Sequence, residues 1–237
     1  MQIKNLIKIY ADTADFDQIR KYSNDDRISG FTTNPTLMRQ SKIENYRNFA
    51  DEILDIVRNK PISFEIFADD EYEIQKQAEI ISAWGKNVFV KIPIINTKNI
   101  SLSQLIVRLN KIGIPINVTA LFTLSQVRKI IDQLGGEKTP LILSIFAGRI
   151  ADTGVDPIPI MKKITVETAK IRNIETLWAS PREILNLVHA AKCKTDIITL
   201  MPSLIDKLEF FGKDLEQFSL ETVKMFHRDA ENCRFFL

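Results

Sequence analysis

The chain has 237 residues, 45% of them hydrophobic and 26% charged, which is the composition of an ordinary globular protein with enough length to bury the core of one domain. Its 32 Lys and Arg nearly balance its 30 Asp and Glu, and the signs alternate along the chain. This leaves no block of one charge to grip nucleic acid or a membrane surface, so any local cluster of cations would serve a small anion.

Met1–Tyr10 alternates polar and apolar residues and lacks the apolar centre of a secretory signal, and the longest apolar stretches fall far short of the ~20 residues that span a bilayer. A cytoplasmic protein is expected. Cys193 and Cys233 have no paired spacing near His189 or His227, so the sequence indicates neither a disulfide framework nor a metal site, and both cysteines read as packing residues.

Short β-branched or apolar runs recur along the chain: Leu6–Ala11, Gly30–Thr32, Ile62–Phe67, Val88–Ile92, Ile116–Thr119, Leu141–Ile145, Thr176–Ala179 and Asp196–Leu200. Between most of them lies an amphipathic segment of helical length. Tyr46, Phe49, Ile53, Ile56 and Val57 make one apolar stripe, and Ile74, Ala78, Ile81 and Trp84 make another. Two further helical stretches, around Ser203–Phe211 and Ser219–Cys233, follow the eighth strand, with Phe210, Phe211, Phe218, Phe226, Phe235 and Phe236 crowded near the end. The alternation is that of parallel βα units. An open sheet binding a nucleotide would be expected to carry a glycine-rich turn after its first strand, but Ala11–Asp15 has no glycine and no dinucleotide or P-loop pattern occurs. The expected fold is therefore α/β, a (β/α)₈ TIM barrel with an additional C-terminal helix: one domain over 1–237, of which 203–237 is a helical extension.

In such a barrel the active site is built at the C-terminal ends of the strands. Those positions are polar here: Asp12, then Thr32, Thr33 and Asn34, then Glu65, Lys91, Asn117 and Thr119, Ser144 with Arg149 beyond it, and Ser180 with Arg182. Lys91 sits in Val88-Phe89-Val90-Lys91-Ile92-Pro93, where apolar neighbours would surround its amine, disfavour the ammonium form and leave a nucleophile for a carbonyl carbon. Imine chemistry also needs groups to move protons, and two separate carboxylates, Glu65 and Asp12, flank the same mouth. Taken singly, Asp12 reads equally well as a helix N-cap and Glu65 as a salt-bridge partner.

The segments I-Y-A-D-T-A-D at 9–15, G-F-T-T-N-P-T at 30–36, V-K-I-P at 90–93, I-N-V-T-A-L-F-T at 116–123 and S-I-F-A-G-R-I-A-D-T-G-V-D-P at 144–157 resemble, in order, the motifs of the transaldolase family, from about Tyr10 to the last strand. The resemblance implies that Lys91 forms a Schiff base, that Glu65 and Thr119 act through a water in dehydration, and that Asp12 is the acid/base at the hydroxyl of the breaking bond. It places Thr33, Asn34, Asn117, Ser144, Phe146 and Ser180 around the substrate and gives Arg149 and Arg182 the phosphate, for which an arginine fork is suited. No cofactor is implied. The implied substrates are sugar phosphates, with sedoheptulose 7-phosphate or fructose 6-phosphate as donor and an aldose phosphate as acceptor. No nucleic-acid or membrane partner is implied.

The family also includes small fructose-6-phosphate aldolases, whose length this chain shares and which carry Gln at the position of Glu65 and Tyr at that of Phe146. Glu65 and Phe146 resemble the transaldolases instead. Short members form rings of five paired into decamers by exchanged C-terminal helices, so a homo-oligomer is expected. Three residues depart from the family pattern: Ile145, Ala147 and Pro181. Pro181 biases Ser180 towards extended backbone, which would re-aim Arg182.

Overall fold

The computed structural model describes residues 7–136 and 138–233. Leu6 of the first expected strand, and Phe235 and Phe236, lie outside the described residues. Eight parallel strands close into a barrel in chain order: β1 (Lys8–Asp12), β2 (Ile28–Thr32), β3 (Ile62–Glu65), β4 (Val88–Pro93), β5 (Ile116–Leu121), β6 (Leu141–Ile145), β7 (Ile174–Trp178) and β8 (Ile197–Leu200). Helices lie in the connections: α1 (Phe16–Ser23), α2 (Pro35–Gln40), α3 (Tyr46–Val57), α4 (Glu71–Ser82), α5 (Ser103–Lys111), α6 (Leu124–Ile131), α7 (Ala147–Asp152), α8 (Ile158–Thr168) and α9 (Leu185–Lys192). Beyond β8 come α10 (Pro202–Asp206), a 3₁₀ turn (Lys207–Phe210) and α11 (Leu215–Cys233).

Strand alternation sorts the side chains into two cores. Val90, Ile92, Ile116 and Val118 belong to the larger one, which also includes the buried faces of the helices: Phe49, Ile53 and Val57 on α3, and Ile74, Ala78 and Ile81 on α4. Both expected apolar stripes are used. Trp84 lies just past the end of α4 and meets the Phe64 and Tyr46 rings edge-on. The smaller core comprises Tyr10, Ile142, Leu177, Ala179 and Ile197, with Phe89 and Phe146 against it. At about 1.5–3 kcal/mol for each fully buried aliphatic side chain, the helix–strand layer supplies most of the burial energy, and the mouth of the barrel can be polar.

Several strand ends differ from the sequence expectation for local reasons. β2 begins at Ile28, so Gly30 is inside the strand and not at its edge: a Cβ there would sit 2.6 Å from Tyr10 Cζ and 2.9 Å from the Pro61 carbonyl. β3 stops at Glu65 because the Gln77 side chain takes the backbone N–H groups of Phe67 and Ala68, at 2.8 and 3.0 Å. β5 runs on to Leu121 through an irregular register after Val118, where Ala120 takes φ +55°. α11 begins at Leu215, four residues before the expected Ser219, with the Asp214 side chain accepting from the Gln217 N–H at 2.9 Å. Cys193 is buried as a packing residue, but Cys233 is exposed at the end of α11. No helix among the described residues is long and apolar enough to cross a membrane.

Candidate active site

Register brings the polar strand ends together. Glu65 lies opposite Lys91 across β3 and β4, Lys91 opposite Asn117 across β4 and β5, and Asp12 opposite Thr32 across β1 and β2. Side chains at such positions point the same way from neighbouring strands. They line a cavity of about 820 Å³ at the barrel mouth, which includes Asp12, Asn34, Glu65, Lys91, Asn117, Thr119, Ser144, Phe146, Arg149, Ser180 and Arg182. Its size is that of a small-molecule site.

Lys91, only 8% exposed, sits between two oxygens: its Nζ is 2.7 Å from Glu65 Oε2 and donates to the Thr33 carbonyl at 2.5 Å. Of the expected apolar neighbours, Val90 and Ile92 point to the opposite face of the strand and pack under the helices, whereas Pro93 lines the cavity with Lys91. The lysine also has a carboxylate one hydrogen bond away, able to accept its proton and free the nitrogen to attack a carbonyl. Thr119 Oγ1 lies 3.5 Å from Glu65 Oε1, and the Tyr46 hydroxyl donates to the Glu65 carbonyl at 3.1 Å.

Asp12 ends β1 free of any capping duty, since Asp15 caps α1 by accepting from the Gln18 N–H at 2.9 Å. Its Oδ1 accepts from Thr32 Oγ1 at 2.8 Å. Burial pushes the Asp12 carboxyl up from its ordinary range; Lys91 and the Thr32 hydrogen bond pull it down, Glu65 pushes it up, and the Asn34 amide pulls it down, without cancelling the rise. Asn34 is also the N-cap of α2, accepting from the Leu37 N–H at 3.0 Å with Pro35 at the first helical position, which is the physical content of T-T-N-P. On the floor, Ser144 Oγ donates to Asn117 Oδ1 at 2.6 Å, and Asn117 Nδ2 donates to Ser63 Oγ at 3.1 Å.

One expected site residue is placed elsewhere. The Thr33 side chain is fully buried, and its hydroxyl donates to the Ser63 carbonyl at 3.0 Å, so Thr33 meets the site only through its own carbonyl. The backbone of Ser180 is also corrected: it takes φ +57°, in the left-handed region and not the extended one. Gly148 explains the turn. Its N–H donates to the Ala179 carbonyl at 3.2 Å, and a Cβ on it would lie 1.5 Å from the Ser180 carbonyl oxygen, so the chain leaving β7 is seated directly on the start of α7. Beyond Pro181 the Arg182 N–H donates to Asn186 Oδ1 at 2.8 Å, and its guanidinium grips Asp152 through Nε (3.0 Å) and Nη2. Arg149 lies with its guanidinium carbon 5.7 Å from the Phe146 ring centroid, and no carboxylate among the described residues forms an ion pair with it.

Sequence reasoning passed over Ser63, Asp152 and Thr199. Ser63 and Thr199 each interrupt an apolar strand with a hydroxyl at an inward position, which is the signal that marks them. Asp152 gives no such signal, because its partner is thirty residues away. Among the described residues no group of three or more His, Cys, Asp or Glu is placed to hold a metal ion.

The family described as transaldolase/fructose-6-phosphate aldolase matches residues 9–236. The chain belongs to this family. Relatives include a probable transaldolase of Nitrosopumilus maritimus, 30% identical over an alignment of 227 positions that covers 91% of this chain and 97% of the relative. Another, from Dehalococcoides mccartyi, is 33% identical over 196 residues, 82% of this chain and 86% of the relative. Among solved structures, 3-hexulose-6-phosphate synthase from Salmonella typhimurium superposes with a TM-score of 0.56 at 14% identity, over 82% of this chain and 89% of that one, a likeness of fold alone. Schiff-base chemistry is characteristic of the transaldolase/fructose-6-phosphate aldolase family, and the ion-paired lysine lies in its V-K-I-P motif.

The raised Asp12 carboxyl has a consequence for stability. Folding increases its affinity for a proton, so between its unfolded and folded pKa values the native state holds the extra proton and stability falls as pH rises. Asp12→Asn removes that penalty. In thermal melts the variant is expected to be more stable than the parent at neutral pH, with the gap narrowing as pH falls towards the ordinary carboxylate range. A variant equally or less stable at neutral pH contradicts the assignment.

Proposed function

We propose that this enzyme is a transaldolase: it takes a dihydroxyacetone unit from a ketose phosphate, fructose 6-phosphate or sedoheptulose 7-phosphate, and passes it to an aldose phosphate. The observation that carries the proposal is the Lys91 amine 2.7 Å from Glu65 with Asp12 lining the same cavity. Glu65 takes a proton from the Lys91 ammonium, the freed amine attacks the ketone carbon, and a proton passes from nitrogen to the new alkoxide to give a carbinolamine. The carbinolamine loses its hydroxyl as water, with the proton supplied through a water held by Glu65 and Thr119. Asp12 then removes the proton of the hydroxyl on the breaking bond, the carbon–carbon bond opens, an aldehyde departs, and the remaining three carbons stay on Lys91 as an enamine. Addition to the acceptor aldehyde reverses these steps, with Asp12 returning its proton, and hydrolysis of the imine releases product and Lys91. A carboxyl raised by burial holds a proton more readily than an ordinary one, which suits it to both taking and giving that proton.

In this reading Asn34, Asn117 and Ser144 hold the hydroxyls of the bound unit, Thr33 contributes its carbonyl to Lys91, and Phe146 and Ser180 shape the wall. Arg149 and Arg182 take the phosphate, Arg182 while bonded to Asp152. One barrel domain, extended by residues 203–237, carries the whole site, and a cytoplasmic location belongs to the same reading.

The alternative within the family, an aldolase that releases dihydroxyacetone, is disfavoured by Glu65 and Phe146. With fructose 6-phosphate as donor, transfer to erythrose 4-phosphate is expected to outrun release of free dihydroxyacetone, and Phe146→Tyr is expected to shift the balance towards release. Release that equals or exceeds transfer in the unaltered enzyme would make it an aldolase.

We further propose that the chain assembles with copies of itself through α11. No residue of that helix is buried, and Leu215, Val223 and Phe226 are 80%, 61% and 62% exposed. Light scattering is expected to return a multiple of the 27.2 kDa chain mass; the mass of one chain would refute it.

A further inference from the structure

The Asp12 side of the cavity is closed by β8, an apolar strand broken by one hydroxyl, Thr199. Thr32 Oγ1 lies 2.8 Å from Asp12 Oδ1 and 2.6 Å from Thr199 Oγ1, and both threonines are buried. When Asp12 is ionised, as it is before it takes the substrate proton, counting protons fixes the direction of these bonds. An ionised carboxylate only accepts, and the Thr32 hydroxyl has one proton, which it donates to Asp12. The bond between the threonines is therefore donated by Thr199. The order of strands permits this chain: β1 lies between β2 and β8, with Asp12 opposite Thr32 on one side and Tyr10 opposite Thr199 on the other.

We infer that Thr199 is a positioning residue for the reaction, holding Thr32 in the one orientation that donates to Asp12 and so fixing both the direction and the basicity of that carboxylate. A hydroxyl that receives a hydrogen bond donates a stronger one, and in a buried chain the effect passes along the row. Thr199 touches no reacting atom; it acts through Thr32. The other groups facing Asp12 are Lys91 on β4, Glu65 on β3 and the Asn34 amide at the end of β2, whereas β8 contributes a hydroxyl and no charge. Thr199 thus adjusts Asp12 without changing the charge of the site.

The inference rests on the transaldolase reading, and the test separates the two. In the unaltered enzyme, borohydride reduction with fructose 6-phosphate must trap a covalent adduct; failure there removes the reading itself. Given that adduct, Thr199→Val, of nearly the same shape, is expected still to form it, because imine formation uses Lys91 and Glu65. The same variant is expected to lose roughly three- to tenfold in kcat/KM for transfer, the scale of one buried hydrogen bond. A weaker bond from Thr32 lets Asp12 protonate at higher pH, so the acid limb of kcat/KM against pH is expected to move upward. Thr199→Ser restores the donor and is expected to restore both readings. Adding Thr199→Val to Thr32→Val is expected to change neither further, since Thr199 then has nothing to act through. Additive losses in the double variant, an unmoved acid limb, or failure of serine to rescue would each overturn the inference. Thr199→Ala gives the same readings if the valine variant does not fold.

Discussion

The Lys91 amine lies between the Glu65 carboxylate and the Thr33 carbonyl, and the rest of the site is arranged around that contact. A charged pair taken out of water costs several kcal/mol per ion, and attraction offsets this only where further hydrogen bonds satisfy both partners. Here the Thr33 carbonyl supports the amine and the Thr119 hydroxyl lies beside the carboxylate. The arrangement follows from parallel pairing in the barrel, where β3, β4 and β5 present Glu65, Lys91 and Asn117 side by side in register. Stability comes from the outward faces of the same strands, so the mouth is free to hold a charged pair that a hydrophobic pair of similar volume would improve upon for folding alone.

A second polar row crosses the barrel on the other side of Lys91, from Asp12 through Thr32 to Thr199. The two rows differ in their task. The first surrounds the nitrogen that would carry the substrate; the second ends on a carboxyl kept above its ordinary range by burial. Environments that push neighbouring ionisable groups apart are the usual means by which one site runs both acid and base steps. The phosphate end shows a different economy. Arg182 is bonded to Asp152, Arg149 lies over Phe146 with no ion pair among the described residues, and the close seating of Gly148 on Ser180 holds the two loops together.

Much of this could be read from residue pattern. Short β-branched or apolar runs marked all eight strands, and the polar residues within or just after those runs marked Asp12, Glu65, Lys91, Asn117 and Ser144, because a strand buried on both faces has few reasons to carry a charge or an amide. The surroundings of Lys91 were only partly legible: adjacent residues on a strand face opposite ways, so Val90 and Ile92 are not neighbours of its amine in space, while Pro93 lines the same cavity. Thr33 and Ser180 were misjudged because a side chain's aim and a turn's φ depend on contacts with the neighbouring βα unit, with Ser63 and Gly148, that no local pattern carries. The Asp152–Arg182 pair was invisible on the same ground.

The central claim is that Lys91, and no other lysine, bonds covalently to the substrate. Borohydride reduction of the unaltered enzyme in the presence of fructose 6-phosphate, followed by peptide mass mapping, measures this directly. The account predicts a reduced adduct confined to the peptide that carries Lys91. An adduct on a different lysine, or none while the enzyme turns over, would contradict it.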